Sequence, residues 1–356
     1  MTTTVQPASP PASTRALAAD LTGRARDLVE PYLRESVALL EPGLAAICGY
    51  HLGWTGPDGS PAVPAVPAGK AVRPAFALLA AEAVCGSVRH AAPAGAAVEL
   101  IHNFSLIHDD IMDRDEERRR RPTVWKQFGV PAAILAGDAL QTLAFDVLLR
   151  HGGRRGPQAA ERLADSLREL VDGQARDLCF AERPWTGPEA VTVEEYRAMA
   201  LGKTGSLLAC ASGLGALLGG GTALQAATLA EAAGQLGLAF QCVDDILGIW
   251  GDPALTGKPA RGDLRERKRS LPVLAVLSGA DAPARHLADL LTAEPGEAEL
   301  LVAADLIEEQ GGRALCEHEA TTALARAHAL LDRVAMPAST RAGYAALAAA
   351  CVARTS

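Results

Sequence analysis

Apolar positions along the chain recur mainly at intervals of three and four residues, the period of an amphipathic helix. The first such stretch runs from Arg15 to about Leu44. Its apolar stripe consists of Leu17, Leu21, Leu28, Leu33, Val37 and Leu40. Pro31 lies inside this stretch, and a proline in a helix interior kinks or divides the helix. The pattern therefore predicts a first helix with a bend or break near Pro31.

The same period continues through most of the chain, interrupted by clusters of glycine, proline and charge. It predicts helices over residues 69–84, 94–115, 131–150, 158–180, 192–203, 207–218 and 224–250. The predicted loops between them are 51–68, 184–188 and 251–270. Four shorter helices are predicted over residues 271–353, separated at 280–283, 295 and 337. We therefore expect an all-α fold: one large helical bundle over 15–356 after a disordered tail, 1–14.

Composition supports this fold class. Hydrophobic residues make up 49% of the 356 residues and aromatic residues only 4%, which favours packed helices over a β-sandwich. The net charge of −8 predicts no general affinity for nucleic acid. The seven cysteines are odd in number and form no C-x-x-C pair, so we expect reduced thiols in a cytoplasmic protein. We also expect neither a secretory signal nor a transmembrane segment.

The most informative stretch is an aspartate-rich helix. At about 100° and about 1.5 Å per residue, Asp109 and Asp113 share one face, roughly 6 Å apart along the axis. His102 lies on the same stripe, whereas Asp110 points to the side. Two carboxylates beside apolar neighbours are costly without a cation, and Mg²⁺ commonly bridges carboxylates to substrate phosphates. The alternative interpretation is a solvated acidic helix end.

Basic residues lie close to these acids. Arginines occupy positions 118–121 directly after the helix. Guanidinium groups pair with phosphate oxygens, so metal-binding acids followed by arginines indicate a diphosphate site. Lys70 and Arg73 stand three residues apart at the start of another predicted helix, where backbone N–H groups also favour anions. Taken alone, these two are more simply interpreted as surface cations.

A second acidic face occurs far along the chain. Gln241, Asp244 and Asp245 lie at i, i+3 and i+4 within an apolar helix. Two adjacent carboxylates there would cost several kcal/mol without a metal or a lysine such as Lys258. The alternative is a capped helix end near Gly251. If the two acidic helices face each other, their carboxylates surround metal ions and the nearby cations surround the ligand of those metals.

Together these residues resemble the trans-isoprenyl diphosphate synthases, the polyprenyl synthetase family, and in particular its short-chain members. The resemblance covers about residues 65 to 275. The matching motifs are Gly69-Lys70-x-x-Arg73-Pro74, His102 with Asp109-Asp110-x-x-Asp113, Arg118-Arg119 with Pro122-Thr123, Gly173-Gln174, Lys203-Thr204, Gln241-x-x-Asp244-Asp245, Gly257-Lys258 and Asp263-Leu264. The resemblance implies a bundle of the type I isoprenoid synthase kind, with a central cavity.

It also implies a role for each motif. Asp109 and Asp113 would share two Mg²⁺ ions and Asp244 would hold a third, with Asp110 and Asp245 completing the two metal-binding motifs and Asp245 outside the direct ligands. The allylic diphosphate would be held by Arg118, Lys203, Thr204, Gln241 and Lys258. Isopentenyl diphosphate would be held by Lys70, Arg73, His102 and Arg119. Asp109, Asp113, Asp244, Lys203 and Arg118 would carry catalysis.

The implied reaction condenses the two diphosphates into a short all-trans prenyl diphosphate. Metals and cations would stabilise the departing pyrophosphate. Phe104 and Ser105, five and four residues before Asp109, resemble a C20-forming pattern, with C15 close behind. We expect Phe104 to form the floor of the product pocket, although helix rotation alone does not place it there. The family also implies a homodimer.

Three departures from the family pattern stand out. Ala68 and Ala71 flank Lys70 in place of glycine and arginine, and Arg120 replaces a glycine. Gly248 replaces the last aspartate of the second motif, although Asp252 lies a turn further on. Two rival functions remain open. A class I terpene cyclase would need Ser or Thr and Glu in the second motif and more aromatics, and a non-catalytic partner subunit would explain the departures.

Overall fold

The computed structural model describes residues 11–62, 69–253, 260–279, 281–293 and 295–352. Regular structure in these ranges is almost entirely helical, which confirms the all-α prediction. The first half contains Ala12–Val37 (α1), Pro42–His51 (α2), Val72–Ala83 (α3), Val88–Met112 (α4), Val124–Phe128 (α5), Val130–His151 (α6) and Gly156–Glu182 (α7). The second half contains Val193–Ala200 (α8), Ser206–Leu218 (α9), Ala223–Trp250 (α10), Gly262–Arg265 (α11), Leu271–Leu277 (α12), Ala282–Thr292 (α13), Glu297–Glu309 (α14), Gly312–Asp332 (α15) and Ala338–Val352 (α16).

Two short elements interrupt the helical pattern near the first acidic motif and in the middle of the chain. Glu117–Arg118 (β1) and Arg121–Pro122 (β2) form an antiparallel hairpin directly after α4. A π-helical turn, Leu201–Gly205, joins α8 to α9. Single π-helical turns are frequent at functional sites, and both elements carry residues that the sequence motifs single out.

The first helix differs from its prediction at both ends. It begins at Ala12, so residues 12–14 are helical and the predicted tail is too long there, while residues 1–10 lie outside the described part of the chain. The helix continues through Pro31 and ends at Val37. The break comes from Pro42, because a residue before proline disfavours helical geometry. Glu41 is extended and its side chain accepts a hydrogen bond from the amide of Leu44, which starts α2.

The C-terminal part contains one more helix than predicted. Residues 296–336 were expected to form one helix, but the described chain separates α14 from α15 at Gly311. Gly311 has a φ of +79°, the left-handed conformation that glycine adopts without steric cost. Gly312 lies close to the backbone of α12, since a Cβ there would be 2.4 Å from the carbonyl oxygen of Pro272. The adjacent glycines Gly311 and Gly312 mark this helix boundary in the sequence, whereas the apolar periodicity does not.

The main core lies between α3, α4, α9 and α10, and α1, α6, α7 and α16 pack around them. Small residues bring these helices close together. A Cβ at Gly215 of α9 would lie 2.0 Å from the carbonyl oxygen of Ala77 in α3. Helix α9 contacts both α4 and α10, which carry the two acidic motifs. The close-packed core therefore fixes the spacing between those motifs.

Two stretches are long and apolar enough to cross a membrane by length and composition alone. They are Val130–His151 and Val193–Leu218, and 44% and 72% of the most apolar 18-residue window of each is buried within the bundle. The core helix of a soluble bundle has the same length and composition. The expectation of no transmembrane segment stays a prediction.

Candidate active site

The last turn of α4 presents the first acidic face. Asp109 is half-buried, and Asp113 is the exposed C-terminal cap of the helix. Burial raises the pKa of Asp109 to about 6, with Lys203 opposing that rise and Asp113 adding to it. Although Asp113 is exposed, neighbouring groups partly desolvate its carboxylate, which raises its pKa, and Lys203 again opposes the rise. The two aspartates that helix geometry placed together therefore both interact with Lys203, which comes from a different part of the chain.

Asp110 faces the other way, as its rotation on the helix predicts. It is buried, and its Oδ1 accepts a 2.7 Å hydrogen bond from Nε of Arg118. The guanidinium Nη2 of Arg118 also lies 2.7 Å from the same oxygen. A predicted metal-binding residue and a predicted diphosphate-binding residue are thus joined to each other. Their ion pair ties the β1–β2 hairpin to the acidic helix and holds Arg118 near Asp109.

The turn of this hairpin is conformationally unusual. Arg119 and Arg120 both have positive φ, +54° and +62°, in a two-residue turn between β1 and β2. Such turns favour glycine or asparagine, and each arginine costs on the order of 1 kcal/mol there. Arg120 therefore does not prevent the turn from forming. Strain of this kind persists where the surroundings determine the backbone, which agrees with the anchoring of Arg118.

The π-helical turn carries Lys203 and Thr204 into the space between α7 and α10. A Cβ at Gly173 of α7 would lie 2.3 Å from the backbone nitrogen of Lys203. A Cβ at Gly237 of α10 would lie 2.7 Å from Cα of Gly205. Only glycine fits at these two approaches, so the predicted Gly173 motif has a structural cause. The turn is held from both sides at backbone distance.

Lys203 forms the cationic centre of the site. Its Nζ lies 2.5 Å from Oδ2 of Asp177 on α7, and both side chains are roughly one-third exposed. It also acts on Asp109 and Asp113, as described above. One ammonium group therefore faces carboxylates from two helices. Such a group suits a site where negative charge accumulates and is balanced.

Thr204, the next residue, reaches the second acidic face. Its hydroxyl donates a 2.7 Å hydrogen bond to Oε1 of Gln241, whose Nε2 donates a 3.0 Å hydrogen bond to Oδ1 of Asp245. Asp245 also accepts hydrogen bonds from the hydroxyl of Tyr196 and the amide of Leu271. Burial raises its pKa to about 6, which these donors oppose. Protein groups thus already satisfy Asp245, consistent with a place outside the direct metal ligands.

The π-helical turn therefore lies between the two acidic helices and interacts with both. Lys203 faces the carboxylates of α4, and Thr204 bonds to the face of α10 that carries Asp244. Asp244 is half-buried and lies next to Asp245 in sequence, with an electrostatic effect on it. The structure brings together the two motifs that were predicted to converge.

A second basic cluster lies deeper along α4. Arg73 and Arg119 act electrostatically both on the buried carboxylate of Glu99 and on the ring of His102. Burial and the neighbouring arginines place the pKa of His102 well below its ordinary value, so the ring is neutral. Gly69 adjoins this cluster, because a Cβ there would lie 2.9 Å from Nη2 of Arg119. Lys70, the next residue, is exposed at its edge. Lys258 lies outside the described residues.

Sequence reasoning missed His51, the last residue of α2. It lines a small cleft with Arg118, Arg119 and Arg121. Burial and these arginines lower its pKa to about 3, and its Nε2 is buried without a hydrogen-bond partner. No motif marks a histidine on a different helix, and only the fold brings it to the arginines.

Lys268 was also missed as a site residue. Its Nζ lies 3.9 Å from Oδ1 of Asp263, and its positive charge interacts with Asp113 of α4. Desolvation lowers the pKa of Lys268, but Asp263, Glu266 at 2.7 Å and Asp113 raise it overall. Lys268 thus stands between the end of α4 and the segment that follows α10.

Phe104 and Ser105 lie one turn before the acidic residues. Phe104 is buried in the main core, and its ring packs edge-on against His108 with centroids 4.9 Å apart. His108 contacts α6, where its Nε2 lies 3.2 Å from the carbonyl oxygen of Ile134. Ser105 bonds to the carbonyl oxygen of His102 instead of pointing at another helix. Phe104 therefore lies close to α6 through His108, and its role as the floor of the product pocket stays a prediction.

The donor set suits Mg²⁺ bound together with a diphosphate. Among the described residues, no three His, Cys, Asp or Glu side chains come close enough to hold one ion by themselves. Mg²⁺ seldom uses such an all-protein cage and more often joins one or two carboxylates to phosphate oxygens and waters. Asp109 and Asp113 on one helix and Asp244 on the other would hold it here. Burial destabilises the charged form of Asp109, and a bound cation would remove that penalty.

An all-helical bundle with two facing acidic motifs and surrounding cations defines a class of enzymes that act on prenyl diphosphates. A family model described as polyprenyl synthetase matches residues 61–307. A (2E,6E)-farnesyl diphosphate synthase of Mycobacterium bovis is 41% identical over 88% of this chain and 87% of its own length. A geranylgeranyl diphosphate synthase of Mycobacterium tuberculosis is 45% identical over 76% of this chain and 75% of its own.

Solved structures agree with these relatives. A polyprenyl synthetase from Streptomyces coelicolor has a TM-score of 0.86 and 46% identity, covering 94% of this chain and 99% of that one. A geranylgeranyl pyrophosphate synthase from Corynebacterium glutamicum, solved with isoprenyl diphosphate and magnesium, has a TM-score of 0.76 and 27% identity, covering 94% and 99%. The chain belongs to the polyprenyl synthetase family. It is a trans-prenyltransferase of the short-chain group.

Proposed function

We propose that this enzyme condenses isopentenyl diphosphate with an allylic diphosphate in a Mg²⁺-dependent reaction, and that its main product is C20, ahead of C15. The observation that carries the proposal is the convergence of the two acidic helices on Lys203 and Thr204. Relatives named as farnesyl and as geranylgeranyl diphosphate synthases match this chain at similar identity, so the relatives alone do not separate the two lengths.

The residues around the π-helical turn would bind the allylic diphosphate. Lys203 and Arg118 supply positive charge, while Thr204 and Gln241 supply polar contacts between the two helices. Three Mg²⁺ ions, held by Asp109, Asp113 and Asp244, would supply further charge to the leaving pyrophosphate. Fixed cations that stabilise developing negative charge account for a large share of catalysis in such sites. Lys258, outside the described residues, would join this set.

The second basic cluster would bind isopentenyl diphosphate. Arg73 and Arg119 act electrostatically on Glu99 and on neutral His102, and Lys70 lies at the cluster's edge. Glu99 partly balances the arginines and so keeps them in place before the ligand arrives. Charge pairing with guanidinium groups and hydrogen bonding to a neutral ring suit a diphosphate that is not cleaved. The departing pyrophosphate of the first substrate would accept the proton lost from the second.

Phe104 supports a product of limited length. Its buried ring lies beside α6 through the contact with His108, in the direction in which a prenyl tail would grow away from Asp109. Ser105 leaves less bulk one residue later. We infer that the ring limits the tail and sets C20 as the end point.

The outer face of α6 suggests a homodimer. Val130, Ile134, Leu135 and Leu149 are 41% to 59% exposed on this one helix. An apolar helix face of this kind is typical of protein interfaces. Two copies joined by α6 would also place the Phe104 end of each product pocket next to the interface. A cytoplasmic location agrees with the seven free cysteines.

The rival functions lack comparable support. A terpene cyclase would have no use for the Arg73, His102 and Arg119 cluster. A non-catalytic subunit would not need Lys203 facing Asp109 and Asp113. One experiment separates the three: the purified chain is incubated with Mg²⁺, isopentenyl diphosphate and a C5, C10 or C15 primer, and products are read by mass spectrometry. C20 prenyl diphosphate is expected. Cyclic hydrocarbon without isopentenyl diphosphate use, or no product at all, would overturn the proposal.

A further inference from the structure

We propose that Asp263 supplies the carboxylate that the second aspartate-rich motif lacks at Gly248. The proposal rests on the Mg²⁺-dependent function proposed above and concerns how this chain completes its metal site. Residues 244 and 248 are four apart on α10, so they share one face. A side chain at 248 would therefore project beside that of Asp244. Glycine leaves this place without a side chain.

The carboxylate of Asp263 fills that place. An ideal Cβ built on Gly248 would lie 2.1 Å from Oδ2, 2.3 Å from Cγ and 2.7 Å from Oδ1 of Asp263. No atom approaches a real Cβ so closely, so Asp263 occupies the volume in which a side chain of residue 248 would begin. The acid reaches the face of Asp244 from a separate segment of chain.

Several contacts hold Asp263 there. Helix α11 lies beside the end of α10. There the amide of Arg261 donates a 3.2 Å hydrogen bond to the carbonyl oxygen of Ile249. Leu264 is fully buried in a second apolar cluster, which also contains Ile249, Val273 and Leu287. Arg265 lies 2.5 Å from Glu297 of α14. The backbone on either side of Asp263 is thus anchored, so the placement of the carboxylate is a property of the fold.

The charges around Asp263 point to the same space. Lys268 lies 3.9 Å from it and also interacts with Asp113 at the end of α4. Lys268 therefore links Asp263 electrostatically to the first acidic motif. In this position its carboxylate would contact the metal ion held by Asp244 or a water bound to that ion.

The alternative acid, Asp252, is less well placed. Helix α10 ends at Trp250, and Gly251 is extended with a ψ of 142°. Asp252 therefore no longer follows the helical face that carries Asp244. On this interpretation Gly248 is not a defect of the motif: it is the residue that makes room for Asp263.

The test measures the Mg²⁺ concentration that half-saturates binding of inorganic pyrophosphate, by titration calorimetry on the purified enzyme. Asp263→Asn keeps the shape and removes the charge, and it is expected to raise that concentration roughly 10- to 100-fold. Gly248→Ala is expected to act in the same direction by displacing Asp263. The matched control is Gly234→Ala on the same helix, where a new Cβ meets Ala209 at an ordinary 3.6 Å.

A relocation experiment completes the test. Gly248→Asp combined with Asp263→Gly returns the carboxylate to α10 and is expected to bind Mg²⁺ better than either single substitution. Melting temperatures without Mg²⁺ identify any variant that fails to fold. Unchanged Mg²⁺ dependence in Asp263→Asn, or a larger effect from Asp252→Asn, overturns the inference. Pyrophosphate binding by the wild type without Mg²⁺ would instead overturn the proposed function.

Discussion

Thr204 and Gln241 are joined by a 2.7 Å hydrogen bond that links the π-helical turn to the second acidic helix. The residue before Thr204 faces the first acidic helix. Two consecutive side chains thus connect motifs that lie more than 130 residues apart, from Asp109 to Asp244.

Lys203→Met should lower kcat/KM by roughly 100-fold or more, because it removes a fixed cation from the leaving group. Lys126→Met is the matched control, since Lys126 pairs with Glu116 on the surface at 2.7 Å. Exposed pairs contribute little, so that variant should stay within about twofold of the wild type. Both are measured by steady-state assay of prenyl diphosphate formation. Equal activity of the two variants would exclude Lys203 from catalysis.

Asp109→Asn should stabilise the metal-free protein at high pH. The folded pKa of Asp109 is raised to about 6, above the unfolded value of about 3.9, so its favourable contribution is present below about pH 4 and is lost as the pH rises through about 6. Above pH 6 the buried charge opposes folding. The variant should therefore melt higher than the wild type at pH 8 and equally at pH 4, without Mg²⁺.

Asp165→Asn is the control for this pH effect, because Asp165 is 59% exposed and pairs only with Arg168 of its own helix in the described contacts. It should show no such gain at pH 8. Differential scanning calorimetry at both pH values measures the effect. A gain for Asp109→Asn that is the same at pH 4 would show that charge burial is not its cause.

Phe104→Ala should lengthen the product beyond C20, because it removes the buried ring beside α6. Chromatography of the dephosphorylated prenols measures the length. Phe128→Ala also removes an edge-packed ring, here from Tyr50, and should leave the length unchanged. If the product of Phe104→Ala keeps its length, another residue forms the floor.

Leu135→Glu should separate the proposed homodimer, because it places a charge in the exposed apolar face of α6. Leu301→Glu changes a residue of similar exposure on α14 and should leave the assembly intact. Sedimentation velocity at matched concentration reports the state of both variants. A wild type that sediments as a monomer would contradict the interface itself.

The parts of the site that could be predicted are those governed by helix geometry. The shared face of Asp109 and Asp113, and the sideways direction of Asp110, follow from the rotation per residue. The start of the helix predicted from residue 192 is equally local, because Thr192 and Glu195 form a capping box there. Each of these depends on residues a few positions apart.

The parts that could not be predicted depend on distant contacts. His51 reaches Arg119 because α2 packs beside the hairpin, and no local pattern encodes that approach. Asp263 lies in the space beside Gly248, and no local sequence pattern encodes that contact. The ion pair between Asp110 and Arg118 was not predicted either, because the motifs assigned Asp110 to metal binding and Arg118 to diphosphate binding.

The π-helical turn at Leu201–Gly205 inserts an angular offset between α8 and α9, which otherwise follow one axis. Each residue of a helix turns it by about 100°. Shortening this turn by a single residue would therefore rotate everything before it relative to everything after it. Lys203 and Thr204 would then no longer face the two acidic helices. The length of this irregular segment therefore determines whether its polar side chains are oriented toward both halves of the active site.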